Sequence, residues 1–156
     1  MKTKYYELIT EELKKPHCRV VVKEVIFMAE KFSPFLHILQ SAEPMIHTLH
    51  DQCFQLLMSL TECIVEENTI SSLESQSLLK LDVTKNLRAR PKMSPSADEQ
   101  YRKLDANTRV TIKKEFQDMF QTSVDYLQKN LHPLSSSLVR HLRVLDPQAM
   151  IQMNDH

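Results

Sequence analysis

Not one glycine occurs among the 156 residues of the chain. Average usage of about 7% would supply roughly eleven. Glycine is the residue that takes up positive φ without a steric penalty, so its absence removes whole classes of structure. A Gly-rich phosphate loop, a dinucleotide-binding fingerprint and a G-x-S-x-G nucleophile elbow are all excluded. Two-residue hairpins, which favour Gly at positive φ, are disfavoured. Helix C-termini must be closed by Asn, water or a following Pro. The expectation is an all-α fold, an irregular bundle of about five or six helices. The chain length suits a single domain over residues 1–156 with a real core.

Twenty basic and twenty acidic residues cancel. No overall field draws such a chain to nucleic acid or anionic lipid, and weak repulsion between copies makes self-association easy. Cys18, Cys53 and Cys63 are an odd number without C-x-x-C spacing. That argues against a disulfide framework and for a reducing, intracellular setting. The polar start is not expected to be a signal peptide. No apolar run approaches the roughly 20 residues of a membrane span.

Apolar spacing places the helices. Tyr5, Leu8, Ile9 and Leu13 predict a short helix over 4–13. Residues 18–40 are the most apolar stretch, with Lys23, Glu24, Glu30 and Lys31 on one narrow polar strip, which predicts a central helix covered on several sides. Pro34 should kink or split it near Ser33. Val20 to Val22 is the best strand candidate, although the charged strip keeps helical spacing. Ser41 and Pro44 look like a cap and first turn. A helix striped by Met45, Leu49, Cys53, Leu56, Leu60 and Ile64 follows, making an αα-hairpin. Residues 66–82 suggest a short helical turn or two. Residues 83–98, with Pro91 and Pro95, read as a long flexible loop. A long amphipathic helix spans 106–131, capped by Asp105 or Asn107, and a last one covers about 134–145. The expected core includes Phe27, Phe32, Leu49, Leu56, Phe116, Phe120 and Leu127.

Two clusters carry candidate chemistry. His47, His50 and Asp51 share a helix surface and offer metal-ligand types, but Cys53 lies in the apolar stripe on the other side. One zinc ion cannot reach both sides, and the plainer expectation is a wet His–Asp pair beside a buried thiol. The three cysteines read as small core fillers. Lys85, Arg88, Arg90 and Lys92 form the basic cluster, a candidate phosphate contact or nuclear-import patch, with a solvated loop as its plainer reading. Paired acids such as Glu11–Glu12 and Glu66–Glu67 diverge on a helix and make no catalytic pair. No cofactor is expected.

The segment Leu36-His37-Ile38-Leu39-Gln40-Ser41-Ala42-Glu43-Pro44-Met45-Ile46-His47-Thr48-Leu49-His50, between an apolar helix and a Leu-rich one, resembles the vertebrate proteins derived from hAT-type DNA transposases. Leu79-Lys80-Leu81-Asp82-Val83 resembles the family's "L-x-K-L-D". The run Phe116 to Leu131, His132-Pro133-Leu134 and Val144-Leu145-Asp146-Pro147 resembles its closing stretch. The likeness spans Pro16 to Met150. Such transposases carry a zinc-binding finger and a ribonuclease-H-like core with three metal-holding carboxylates, and neither is visible here. The resemblance therefore implies the helical part alone: a non-enzymatic protein-interaction module in a nuclear setting. The alternatives are a nucleic-acid-contacting remnant using Lys85, Arg88, Arg90 and Lys92, and a metal-dependent enzyme using His47, His50 and Asp51.

Overall fold

A computed structural model describes residues 2–40, 46–71, 73 and 75–131. The fold is all-α. Four long helices dominate: α1 (Lys2–Lys14), α2 (Pro16–Leu39), α3 (Ile46–Ile64) and α7 (Ala106–Leu131). Between them lie the short α4 (Glu67–Ile70), α5 (Ser75–Leu78) and α6 (Pro95–Arg102), with a 3-10 turn at Val83–Asn86. The proposed cap at Ser41 and Pro44 and the helix over 134–145 fall outside the described residues.

The core forms where α7 lies along α3. Leu57, Leu60, Ile64, Phe120 and Val124 are completely buried there, and Phe27, Phe32 and Phe35 of α2 pack against them half-exposed. A second apolar cluster joins Val20 of α2, Ala97 and Tyr101 of α6, and Ile112 and Phe116 of α7. Of the expected core, Leu56, Phe116 and Phe120 are buried, while Phe27, Phe32, Leu49 and Leu127 line its edge. Asp105, rather than Asn107, caps α7: its carboxylate accepts from the Thr108 N–H at 3.0 Å.

Two expectations about α2 are corrected. Helix α2 runs unbroken through Pro34. The proline leaves the Glu30 carbonyl without its helical donor, but both residues are exposed and water can serve it. Val20 to Val22, the best strand candidate, is helical, as the spacing of the charged strip implied. The strip of Lys23, Glu24, Glu30 and Lys31 does not face water as a unit: Glu24 is fully buried and Lys23 and Lys31 are half-buried. Lys23 Nζ donates to the Ser96 carbonyl at 3.1 Å, and Glu24 Oε2 accepts the Ser94 N–H at 3.4 Å. The strip has turned inward because the first turn of α6 presents polar backbone to it.

The stretch 83–98 is also more regular than its prolines suggest, and its role follows from the missing glycines. No described residue adopts positive φ, so α3 cannot end in a left-handed cap. Its last carbonyls are closed from a distance. The Arg88 N–H donates to the Ile64 carbonyl and the Lys92 N–H to the Cys63 carbonyl, each at 2.7 Å. The Arg88 guanidinium reaches the Glu62 carbonyl at 3.3 Å. Pro91 is fully buried. Among the described residues, limited trypsin digestion should therefore cut first after Lys14, where α1 is exposed, and later after Arg88 or Lys92. Cleavage at Arg88 or Lys92 ahead of Lys14 would contradict the anchoring.

Candidate interaction surface

The uncovered apolar surface lies on α1 and α2. Every described side chain of α1 from Tyr5 to Lys14 is exposed, Tyr5 at 69% and Tyr6 at 71%. At about 100° per residue, Tyr5, Ile9 and Leu13 share one face of that helix. On α2, Val22, Ile26, Ala29, Ser33 and Leu36 fall within an arc of roughly 80°, and all five are exposed. Val25 and Leu39 flank that arc, each more than half exposed. Ten of the twelve large apolar side chains exposed among the described residues belong to these two helices. The central helix expected from the sequence is therefore covered on one side and open on the other.

This arrangement follows from composition along α2. A helix apolar most of the way round cannot bury every side against its four neighbours, α1, α3, α6 and α7. Val20 goes to the second cluster, Phe27, Phe32 and Phe35 go to α3, and Glu24 goes to α6. What remains faces out. Helix α1 is joined to α2 through Lys15 and Pro16, with an exposed Lys15–Glu12 ion pair at the joint. A 13-residue helix is marginal on its own in water, so α1 needs a surface to lie against.

The basic residues Lys85, Arg88 and Arg90 have partners within the fold, although Lys85 and Arg90 stay exposed. Lys85 pairs with Asp82 at 3.0 Å, and Arg90 pairs with Asp98 at 2.7 Å while lying over the Tyr101 ring. Arg88 and Lys92 sit at the C-terminal end of α3, where positive charge complements the helix dipole. Lys92 is the exposed one of that pair.

Two members of the His–Asp group meet. His50 is buried, 3.1 Å from Asp51 through Nδ1 and packed against Phe54 with the ring planes tilted by 37° and the ring centres 4.6 Å apart. The pair borders an open groove of about 490 Å³ beside Met58 and Leu78. The His47 side chain lies outside the described residues. Cys53 and Cys63 are buried, and burial pushes both thiols up to about 11, which keeps them protonated and unreactive. The sequence reading missed a different trio. Glu12, His17 and Cys18 meet at the α1–α2 joint with their ligand atoms within 4.8 Å of one another. The Lys15 ammonium already occupies the Glu12 carboxylate there.

Comparison with family models, with curated proteins and with solved structures found no match. No described helix is long and apolar enough to cross a membrane.

Proposed function

We propose that this chain is a non-enzymatic helical interaction module that binds a protein partner through the apolar faces of α1 and α2. The observation that carries the proposal is the concentration of exposed Tyr, Leu, Ile and Val side chains on those two helices. Monomeric proteins rarely leave more than a few hundred Å² of contiguous apolar surface in water, and larger patches mark binding sites. The groups with chemical potential elsewhere already have structural work: Arg88 closes α3, Arg90 holds Asp98, and the buried cysteines fill the core. Descent from a hAT-type transposase, and with it a nuclear setting, belongs to the same proposal and rests on the short motifs between Leu36 and Pro147.

A photo-crosslinking residue at Ile26 in cells should give a protein adduct that disappears in an Ile9→Glu background. The same probe at Glu115, exposed on α7, should give far less. Equal yields at the two positions would sink the reading. The Ile9→Glu and Ile26→Glu substitutions should leave the melting temperature nearly unchanged, because both side chains are exposed in the fold.

A further inference from the structure

The geometry where α1 meets α2 points to a zinc site made by Glu12, His17 and Cys18, which pins the exposed α1 to the first turn of α2 when the metal binds.

The ligand set is the first support. A carboxylate oxygen of Glu12, a ring nitrogen of His17 and the Cys18 sulfur lie within 4.8 Å of one another. Among the described residues no other three His, Cys, Asp or Glu side chains come together in this way. In a tetrahedral zinc site, metal–ligand distances of about 2.0–2.3 Å set neighbouring ligand atoms about 3.3–3.6 Å apart, so side-chain movements of about 1 Å close the trio around one ion. A thiolate with an imidazole suits zinc, whereas calcium and magnesium take oxygen ligands. Three protein ligands leave the fourth position to water.

The chain path is the second. On an unbroken helix, positions 12, 17 and 18 would stand about 100–140° apart and could not share an ion. Pro16 has no N–H, and its ring pushes the preceding residue out of the helical region. Lys15 is accordingly extended, at φ −65° and ψ 135°. That bend sets the first turn of α2 against the last turn of α1, where the three ligands meet.

Access is the third. Cys53 and Cys63 are buried, whereas Cys18 and His17 are half-buried and Glu12 is exposed, so a metal ion can enter from solvent. Lys15 takes Glu12 Oε1 in an exposed ion pair. Such pairs contribute little, and a divalent cation held by three ligands displaces the ammonium. Helix α1 then gains an anchor, since none of its side chains from Tyr5 to Lys14 is buried.

The test uses the full, untagged chain with Co2+ and Zn2+ as probes. One Co2+ per chain should bind with the near-ultraviolet absorption of a cobalt–sulfur bond, and Zn2+ should displace it. Cys18→Ser and Cys18→Ala should remove the absorption and leave the metal-free melting temperature nearly unchanged. Glu12→Gln and His17→Gln should each weaken Zn2+ binding at least about tenfold. Lys15→Met, which frees Glu12 of its ammonium, should tighten it at least about threefold. Zn2+ at about 100 times its dissociation constant should slow trypsin cleavage after Lys14 at least about tenfold, an effect lost in Cys18→Ser. Absorption that persists without Cys18, or that is untouched in both Glu12→Gln and His17→Gln, overturns the site. So does a failure to bind at about 100 μM Zn2+. Unchanged or weaker binding in Lys15→Met overturns the place given to Glu12. Binding that leaves cleavage after Lys14 as fast as before overturns the pinning of α1.

Discussion

Phe120→Ala, at the largest fully buried side chain among the described residues, is expected to cost about 3–5 kcal/mol of folding stability. Phe120 is fully buried in the cluster where α7 meets α3, among Leu57, Leu60 and Val124. Removing the ring forfeits its transfer free energy and leaves a cavity between two rigid helices that cannot collapse into it. At this chain length each kcal/mol lowers the melting temperature by roughly 2–4 °C, so a fall on the order of 10 °C should be seen. Urea unfolding should show the midpoint moving with an unchanged slope. Val110→Ala, on the exposed side of the same helix, should cost less than about 0.5 kcal/mol. A loss under 1 kcal/mol at Phe120 would mean that α3 and α7 are not packed as described.

The long helices were legible because their signals are local. Ile112, Phe116, Phe120 and Val124 recur at helical spacing over a 26-residue helix, and each is buried. The α3 stripe from Cys53 to Ile64 behaves the same way. The short α6 carries local signals too: Ser94 caps it, Pro95 occupies its first turn and Asp98 follows. The two prolines of 83–98 suggested a loop, although one of them starts a helix.

The rotation of α2 was not legible. Its apolar residues surround most of the helix, so periodicity leaves no preferred inner face. The choice is made by Lys23 and Glu24, whose partners Ser96 and Ser94 lie about seventy residues away. The same limit hid the work of Arg88 and Lys92. Their positive charge is visible in the sequence, but the open carbonyl end of α3 becomes their partner only after the chain has folded back. The candidate surface follows from that rotation. Val22, Ile26 and Leu36 look like core residues until Glu24 takes the inward position.

Glu24 also sets the dependence of stability on pH. Its side chain is fully buried, with one oxygen accepting from Ser94 and Oε1 making no hydrogen bond. Burial pushes the carboxyl up from its ordinary 4.5 to about 7, against a weaker lowering by the Ser94 N–H. A raised acid pKa means that the folded state holds a proton which the unfolded chain has already released. The stability from this group is complete below pH about 4.5 and is lost as pH rises through about 7. The loss across that window is on the order of 3 kcal/mol. Asp82, Asp105 and Glu99 run the other way. Hydrogen bonds from Thr84, Thr108 and Lys103 respectively hold these exposed carboxylates below their usual values. Their contribution is lost only as pH falls below the carboxylate range, outside the Glu24 window. Glu24→Gln keeps an acceptor for Ser94 but carries no proton to lose. Unfolding curves at half-unit steps from pH 4.5 to 8 should show the wild type weakening with pH relative to Glu24→Gln. At pH 8 the variant should be more stable by about 1–3 kcal/mol, since it avoids burying a carboxylate. Comparing the two chains cancels the histidines, which titrate in both. Parallel curves over the whole range would mean that Glu24 titrates in the fold as it does in the unfolded chain.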